Sequence, residues 1–201
     1  MTPFRMEKML RRMTNRSMSS TTDIKLVGVV GLGLMGHGIA QITAQAGYKV
    51  MAIEAQDAAL KAGMGRIEGS LMKMLEKDVT KNKISAAEVK PKYDEIMSRI
   101  STTTSLADAK DCDLIIEAIV EKMDVKVNFY KALGPLIKPE AIFASNTSSL
   151  PITNMAMASG RPDKFVGLHF FNPVQLMKLL EVIDYEATAP SNNNTTTAYS
   201  L

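Results

Sequence analysis

An α/β fold, with a doubly wound, mostly parallel sheet, helices on both faces and a protruding helical segment, is what this sequence predicts, and three observations predict it. The apolar run 24–30 passes directly into Gly31-Leu32-Gly33-Leu34-Met35-Gly36. A helical stretch, 38–46, is stopped by Gly47 and followed by a second apolar run, 48–53, that ends in Glu54. Beyond it, strand-like and helix-like segments alternate as far as residue 183, which implies crossover connections and a parallel sheet.

The first junction reads as a strand turning into a helix around a phosphate. Gly31 takes a turn that no side chain tolerates, Gly33 lets the backbone approach a pyrophosphate, and Gly36 lets the helix pack against the strand. The helix N-terminus then offers free N–H groups and a partial positive charge to the anion. In a complete strand–helix–strand unit this is a Rossmann-like signature, and residues 31–36, including Leu32, Leu34 and Met35, are expected to hold the cofactor together. Glu54, about 20 residues beyond the glycines, is placed to accept hydrogen bonds from the adenosine ribose. The bland reading of Glu54 is a solvated strand end. Its charge repels a 2′-phosphate and Ala55-Gln56-Asp57 supplies no arginine to hold one, so NAD is favoured over NADP. S-adenosylmethionine sites use a similar loop, but the third glycine, Gly36, argues against one.

The remaining segments follow in order. Over 57–77 the apolar residues Leu60, Met64, Ile67, Leu71, Met74 and Leu75 recur at helical spacing, although Gly63, Gly65 and Gly69 weaken the pattern. Ser85-Ala86-Ala87-Glu88 has capping-box spacing ahead of a further helix. Strands are expected over 96–102, 113–119, 141–145, 165–171 and 178–183, with helices over 124–133 and 152–158. The 15 methionines read as core filler, and no metal site is expected.

At 46% hydrophobic, the 201 residues suit one good core or a domain and a half. The single cysteine, Cys112, cannot form an internal disulfide and reads as a buried structural thiol. No apolar stretch approaches the roughly 20 residues of a membrane span, so a soluble, non-secreted protein is expected. The overall charge of +3 is misleading, because residues 1–22 carry five basic groups against one acid while the rest has 19 against 20. The body therefore offers no basic face for nucleic acid. The leader, 1–22, is rich in Arg, Ser and Thr, with Phe4, Met6, Met9, Leu10 and Met13 able to form one apolar helical face. It reads as a transit peptide for the mitochondrial matrix, the alternative being a basic tail on a cytoplasmic protein. Residues 23–185 are expected to form the folded domain, and the polar, low-complexity stretch 186–201 a disordered tail.

Only two histidines exist, so the search for a general base near neutral pH is short. His37 falls in the first turn of the dinucleotide helix, where the dipole disfavours a cation, and reads as a packing or cofactor-proximal residue. His169 ends an apolar strand that runs into Asn172-Pro173, where ligands gather in α/β sheets. Glu181 interrupts the apolar run Leu179-Leu180-Glu181-Val182-Ile183, and a carboxylate there needs a partner. If the strands meet after the Asn172-Pro173 bend, that partner is His169. The pair would hold one imidazole tautomer and stabilise the imidazolium formed on proton uptake, which suits an alcohol dehydrogenation. The alternative is a satisfied core histidine and an edge-strand glutamate, and spacing alone leaves the two even.

Residues 30–41, the stretch Glu117-Ala118-Ile119-Val120-Glu121, residues 143–150 and His169-Phe170-Phe171-Asn172-Pro173-Val174 together resemble the L-3-hydroxyacyl-CoA dehydrogenase family in spacing and order. The resemblance runs from about Ile24 to Ile183 and covers that family's NAD domain. It implies that His169 is the catalytic histidine and Glu181 its partner. It further implies that Ser148 contacts the substrate oxygen, that Asn172 lies near nicotinamide and substrate, and that Glu121 and Lys126 contact the cofactor. Ser70, Lys73 and Lys77 lie on one helical face by spacing. A solvated basic face is the bland reading, while the family places coenzyme A contacts at the positions of Ser70 and Lys77. Asn172 points to a stand-alone enzyme. Hydroxybutyryl-CoA dehydrogenases, crystallin-like relatives and sugar-acid dehydrogenases share much of the pattern.

The family continues into a helical domain that closes the cleft and forms a homodimer, and the expectation here is a chain without it. Three readings follow. The chain is an enzyme oxidising L-3-hydroxyacyl-CoA with NAD in fatty-acid β-oxidation, or an impaired paralogue that binds NAD or acyl-CoA, or a partner of a full-length relative.

Overall fold

Residues alternate along the central strands between two apolar layers, and that alternation builds the fold. The computed structural model describes residues 24–184 and the backbone of 195–200. Within them lie β1 (Leu26–Val30), α1 (Gly36–Gln45), β2 (Lys49–Ile53), α2 (Asp57–Thr80), α3 (Ala86–Met97), β3 (Ile100–Thr103), β4 (Leu114–Glu117), α4 (Met123–Leu133), β5 (Ile142–Ser145), α5 (Ile152–Ala158), β6 (Phe165–Phe170), β7 (Leu179–Asp184) and β8 (Thr195–Ser200). They form one eight-stranded sheet in the order β3-β2-β1-β4-β5-β6-β7-β8. The first six strands in that order run parallel, and β7 and β8 return antiparallel. The switch of winding falls between β1 and β4, where a doubly wound sheet opens its crevice.

Val27, Val29, Leu114, Ile116, Ile142 and Ala144 point into one core with Ile39 and Ala40 of α1 and Ile67 of α2. Their neighbours Val30, Ile115 and Phe143 point the other way, into a core with Tyr130 and Leu133 of α4 and Ile152 and Met155 of α5. This period of two, buried on both faces, is what near-continuous apolar runs encode in a parallel sheet. Cys112 is buried in the second core, and burial pushes its thiol up to about 12, so it stays protonated. No helix among the described residues is long and apolar enough to cross a membrane.

Two segments differ from the expectation. The run 96–102 is not a single strand, because the helix opened by the Ser85–Glu88 capping box continues through Pro91 to Met97 and β3 begins only at Ile100. Ile96, Met97 and Ile100 all pack on the first core, so their hydrophobicity reads as continuous although the backbone changes state between them. The tail is not irregular throughout. Thr195–Ser200 pairs with β7, from Leu179 opposite Ser200 to Asp184 opposite Thr195. Threonine-rich sequence has β propensity, and β7 presents a free edge to it. The leader and residues 185–194 lie outside the described residues.

The helical segment over 57–97 is built from α2 and α3. Gly63, which weakens the helical pattern of α2, is required by packing: an added Cβ would meet Leu32 Cβ at 2.5 Å. Gly65 and Gly69 face open space.

Candidate active site

The carboxyl ends of the parallel strands and the loops after them enclose a cavity of about 710 Å³. Gly31 adopts φ +87°, and a Cβ there would lie 2.8 Å from the Ala118 carbonyl oxygen. A Cβ on Gly36 would lie 1.6 Å from the Gly31 oxygen, so the turn and the start of α1 close only on glycine. Gly33 differs, with nothing within 4 Å of an added Cβ, and it lines the cavity. No packing inside the protein therefore requires a glycine at Gly33, whose backbone lies open to the cavity. The N-terminus of α1 has no side-chain cap and no acid in its first turn, which leaves N–H donors for an anion.

Glu54 lies at the end of β2 on the cavity wall. Its Oε2 accepts the Leu32 N–H at 3.0 Å and its Oε1 the Ala55 N–H at 2.9 Å, which fixes the carboxylate beside the loop with lone pairs to spare. A glycine turn, an uncapped helix N-terminus and a fixed carboxylate in one cleft fit a dinucleotide.

At the other end of the cavity, β6 and β7 pair so that His169 stands directly opposite Glu181. His169 Nδ1 lies 2.8 Å from Glu181 Oε2. A carboxylate only accepts, so Nδ1 carries the hydrogen, and in the neutral imidazole Nε2 is the nitrogen with the lone pair. The Phe171 ring, 4.4 Å from the imidazole centroid, flanks it, and Asn172 follows at the cavity wall before a cis bond to Pro173. Asn146 Oδ1 accepts the Phe170 N–H at 2.9 Å and so ties the end of β6 to the loop after β5. No role was legible for Asn146 in the sequence, the only signal being a polar residue closing an apolar strand.

Ser148 and Glu121 line the same wall. Glu121 Oε1 accepts the Thr147 hydroxyl at 2.5 Å and the Ser148 N–H at 3.0 Å. Burial raises the Glu121 carboxyl, but these hydrogen bonds and the Lys126 ammonium outweigh it and hold the group below the ordinary carboxylate range. Lys126, expected to contact the cofactor, reaches this wall through Glu121. Its side chain is 0% exposed, off the cavity wall, bonded to Glu117 Oε1 at 2.5 Å and Glu121 Oε2 at 3.2 Å. Glu117, buried at the end of β4, is not recognisable in the sequence as its partner. The Leu32 side chain is also buried, packed against Gly63 of α2.

A second cavity of about 570 Å³ runs along α2, lined by Ser70, Lys73 and Lys77 and by Pro173, Gln175 and Leu176 of the segment after His169. The three α2 residues share a face, as their spacing predicts, and Arg66 joins them. His37 lies there too, its Nδ1 donating to the Gly33 carbonyl at 2.7 Å. Gly38 lets α1 approach this segment, since a Cβ would lie 2.8 Å from Val174 Cβ.

Known proteins share this arrangement. The family described as 3-hydroxyacyl-CoA dehydrogenase, NAD binding domain, matches residues 26–201. A 3-hydroxybutyryl-CoA dehydrogenase of Bradyrhizobium diazoefficiens is 46% identical over 165 residues, which is 82% of this chain and 54% of that protein. The mitochondrial hydroxyacyl-coenzyme A dehydrogenase of Rattus norvegicus is 44% identical over 167 residues, 83% of this chain and 52% of that protein. The crystal structure of (S)-3-hydroxybutyryl-CoA dehydrogenase from Ralstonia eutropha superposes with a TM-score of 0.74 at 38% identity, covering 84% of this chain and 56% of that one. The chain thus spans about half the length of the curated relatives it matches. With the glycine loop, the carboxylate of Glu54 beside it and the matching family in hand, the chain belongs to the 3-hydroxyacyl-CoA dehydrogenases, and residues 26–201 are their NAD-binding domain.

Proposed function

We propose that this chain takes part in the NAD-dependent oxidation of L-3-hydroxyacyl-CoA to 3-oxoacyl-CoA, with His169 and Glu181 as a general-base pair. The observation that carries the reading is the 2.8 Å contact between His169 Nδ1 and Glu181 Oε2 at the end of the glycine-loop cavity. NAD, when bound, supplies the hydride acceptor. His169 Nε2 takes the substrate hydroxyl proton as hydride leaves the carbon that bears that oxygen, and the carbon–oxygen bond becomes a carbonyl. Glu181 holds the ring and offsets the imidazolium charge as it forms. Ser148, held through its N–H by Glu121, is placed to bond the substrate oxygen, with Asn172 beside it. Lys77, Lys73 and Ser70 along α2 suit the phosphates of coenzyme A, and the second cavity meets the first at Asn172-Pro173.

Reduction of acetoacetyl-CoA, followed by loss of NADH absorbance in the purified chain, tests this. Turnover with the CoA ester and none with free acetoacetate supports the reading. NADH binding without turnover would favour a binding module instead. The leader, 1–22, is proposed to direct the protein to the mitochondrial matrix, where fatty-acid β-oxidation would use this reaction.

Cofactor choice is proposed to follow Glu54. NADH should bind more tightly than NADPH, and Glu54→Ala with Gln56→Arg should narrow the gap at least about tenfold, because a charge opposing the 2′-phosphate is exchanged for one that attracts it. Titration of both cofactors checks this, and equal affinities in the unsubstituted chain would count against it.

A further inference from the structure

Beneath the cavity lies a buried ion pair that the proposed mechanism does not use. Glu117, at the end of β4, and Lys126, on α4, are both 0% exposed and paired at 2.5 Å. The same ammonium reaches Glu121 Oε2 at 3.2 Å, and Glu121 stands on the cavity wall. Glu117 is held as a carboxylate acceptor on several sides, by the Ser145 hydroxyl at 2.7 Å and the Ile119 N–H at 2.8 Å. The Tyr130 hydroxyl, 3.4 Å from Glu117 Oε2, stays a neutral phenol, its pKa held well above the ordinary value by burial and then by the Glu117 charge. Two carboxylates around one ammonium leave a single net negative charge under the wall. A buried ion pair adds little stability over an apolar pair of the same volume, so stability alone does not account for it.

We infer that this set biases the cavity between the two oxidation states of NAD: the net negative charge of Glu117, Lys126 and Glu121 favours the cationic nicotinamide ring of NAD⁺ over the neutral ring of NADH. The inference rests on the reading of the cavity as an NAD site whose reactive end faces His169. Proton and hydride leave neighbouring atoms of the substrate, so the nicotinamide has to lie between the glycine loop and His169. Residues 118–121 with Asn146 and Ser148 form that part of the wall, and Glu117 and Lys126 lie directly behind it. In a medium of effective dielectric near 20, a unit charge about 12 Å from the ring shifts the affinity ratio by roughly tenfold, and a closer one by more. Glu117 touches neither cofactor nor substrate and acts through Lys126 and the field.

Separate titrations of NAD⁺ and NADH, in the unsubstituted chain and in variants, test this. Glu117→Gln removes one negative charge at nearly constant shape, and the ratio of Kd for NAD⁺ to Kd for NADH should rise roughly tenfold. Adding Lys126→Met to it restores one net negative charge, and the ratio should return close to the parental value. Glu121→Gln, at the accessible wall, should raise the ratio as well and carries the test if the buried substitution unfolds the chain. An unmoved ratio, proportional weakening of both forms, or a double variant that stays shifted would overturn the inference. Failure of the unsubstituted chain to bind either form would overturn the reading of the cavity and this inference with it. A shifted ratio without turnover leaves the inference standing and counts only against the proposed reaction.

Discussion

Replacing His169 with glutamine is expected to lower kcat by about 10²–10⁴-fold, the usual contribution of a general base. Glutamine keeps a polar side chain opposite Glu181, so the β6–β7 pairing that places it should survive. What disappears is the basic Nε2, which the Nδ1 contact with Glu181 leaves free to take a proton. NADH affinity should stay within about twofold, since the loop, the α1 terminus and Glu54 hold the cofactor at the other end of the cavity. Initial rates with acetoacetyl-CoA, beside a NADH titration, check both halves. Unchanged kcat with lost NADH affinity would make the histidine a structural residue.

Gly36→Val is expected to abolish NADH binding and to destabilise the domain by at least about 1–3 kcal/mol, the ordinary cost of overpacking. The added Cβ would lie 1.6 Å from the Gly31 oxygen, and backbone has little room to yield. Gly31 itself, at φ +87°, sits where a side chain is strained, so the turn cannot easily move aside. Gly33→Ala makes the contrast. With no protein atom within 4 Å, it should leave thermal unfolding unchanged and weaken only the cofactor, whose backbone approach it blocks. Unfolding curves and NADH titrations of the two variants separate a glycine required by the fold from one reserved for a ligand. Equal losses of stability in both would contradict this division.

Much of the cofactor half of the site was legible because its determinants are local. A strand, three glycines, a helix and an acid at the next strand end are contiguous in sequence, and each glycine has a steric reason that follows from its place in the turn. The catalytic half was less so. Twelve residues separate His169 from Glu181, and whether they meet depends on the β6–β7 register, which no periodicity states; the antiparallel return puts them face to face. Lys126 shows the limit of carrying a role by position. Its buried ammonium is met by Glu117 at the end of β4, and the same carboxylate is bonded by Ser145 of β5, a pairing that no spacing in the sequence states. Gly63 misled in the other direction. It weakens a helix locally, and only the approach of Leu32 explains it. At Thr195–Ser200 composition argued for disorder, while a free edge on β7 gives β-branched residues a partner.

The central claim is that hydride leaves the substrate carbon for NAD in this cavity while His169 removes the hydroxyl proton. The most direct measurement is the mass of the NADH formed from L-3-hydroxybutyryl-CoA that carries deuterium on C3. The account predicts NADH containing that deuterium from the unsubstituted chain, formed at least about 10²-fold more slowly by His169→Gln. NADH free of deuterium, or labelled NADH formed equally fast by the variant, would contradict it.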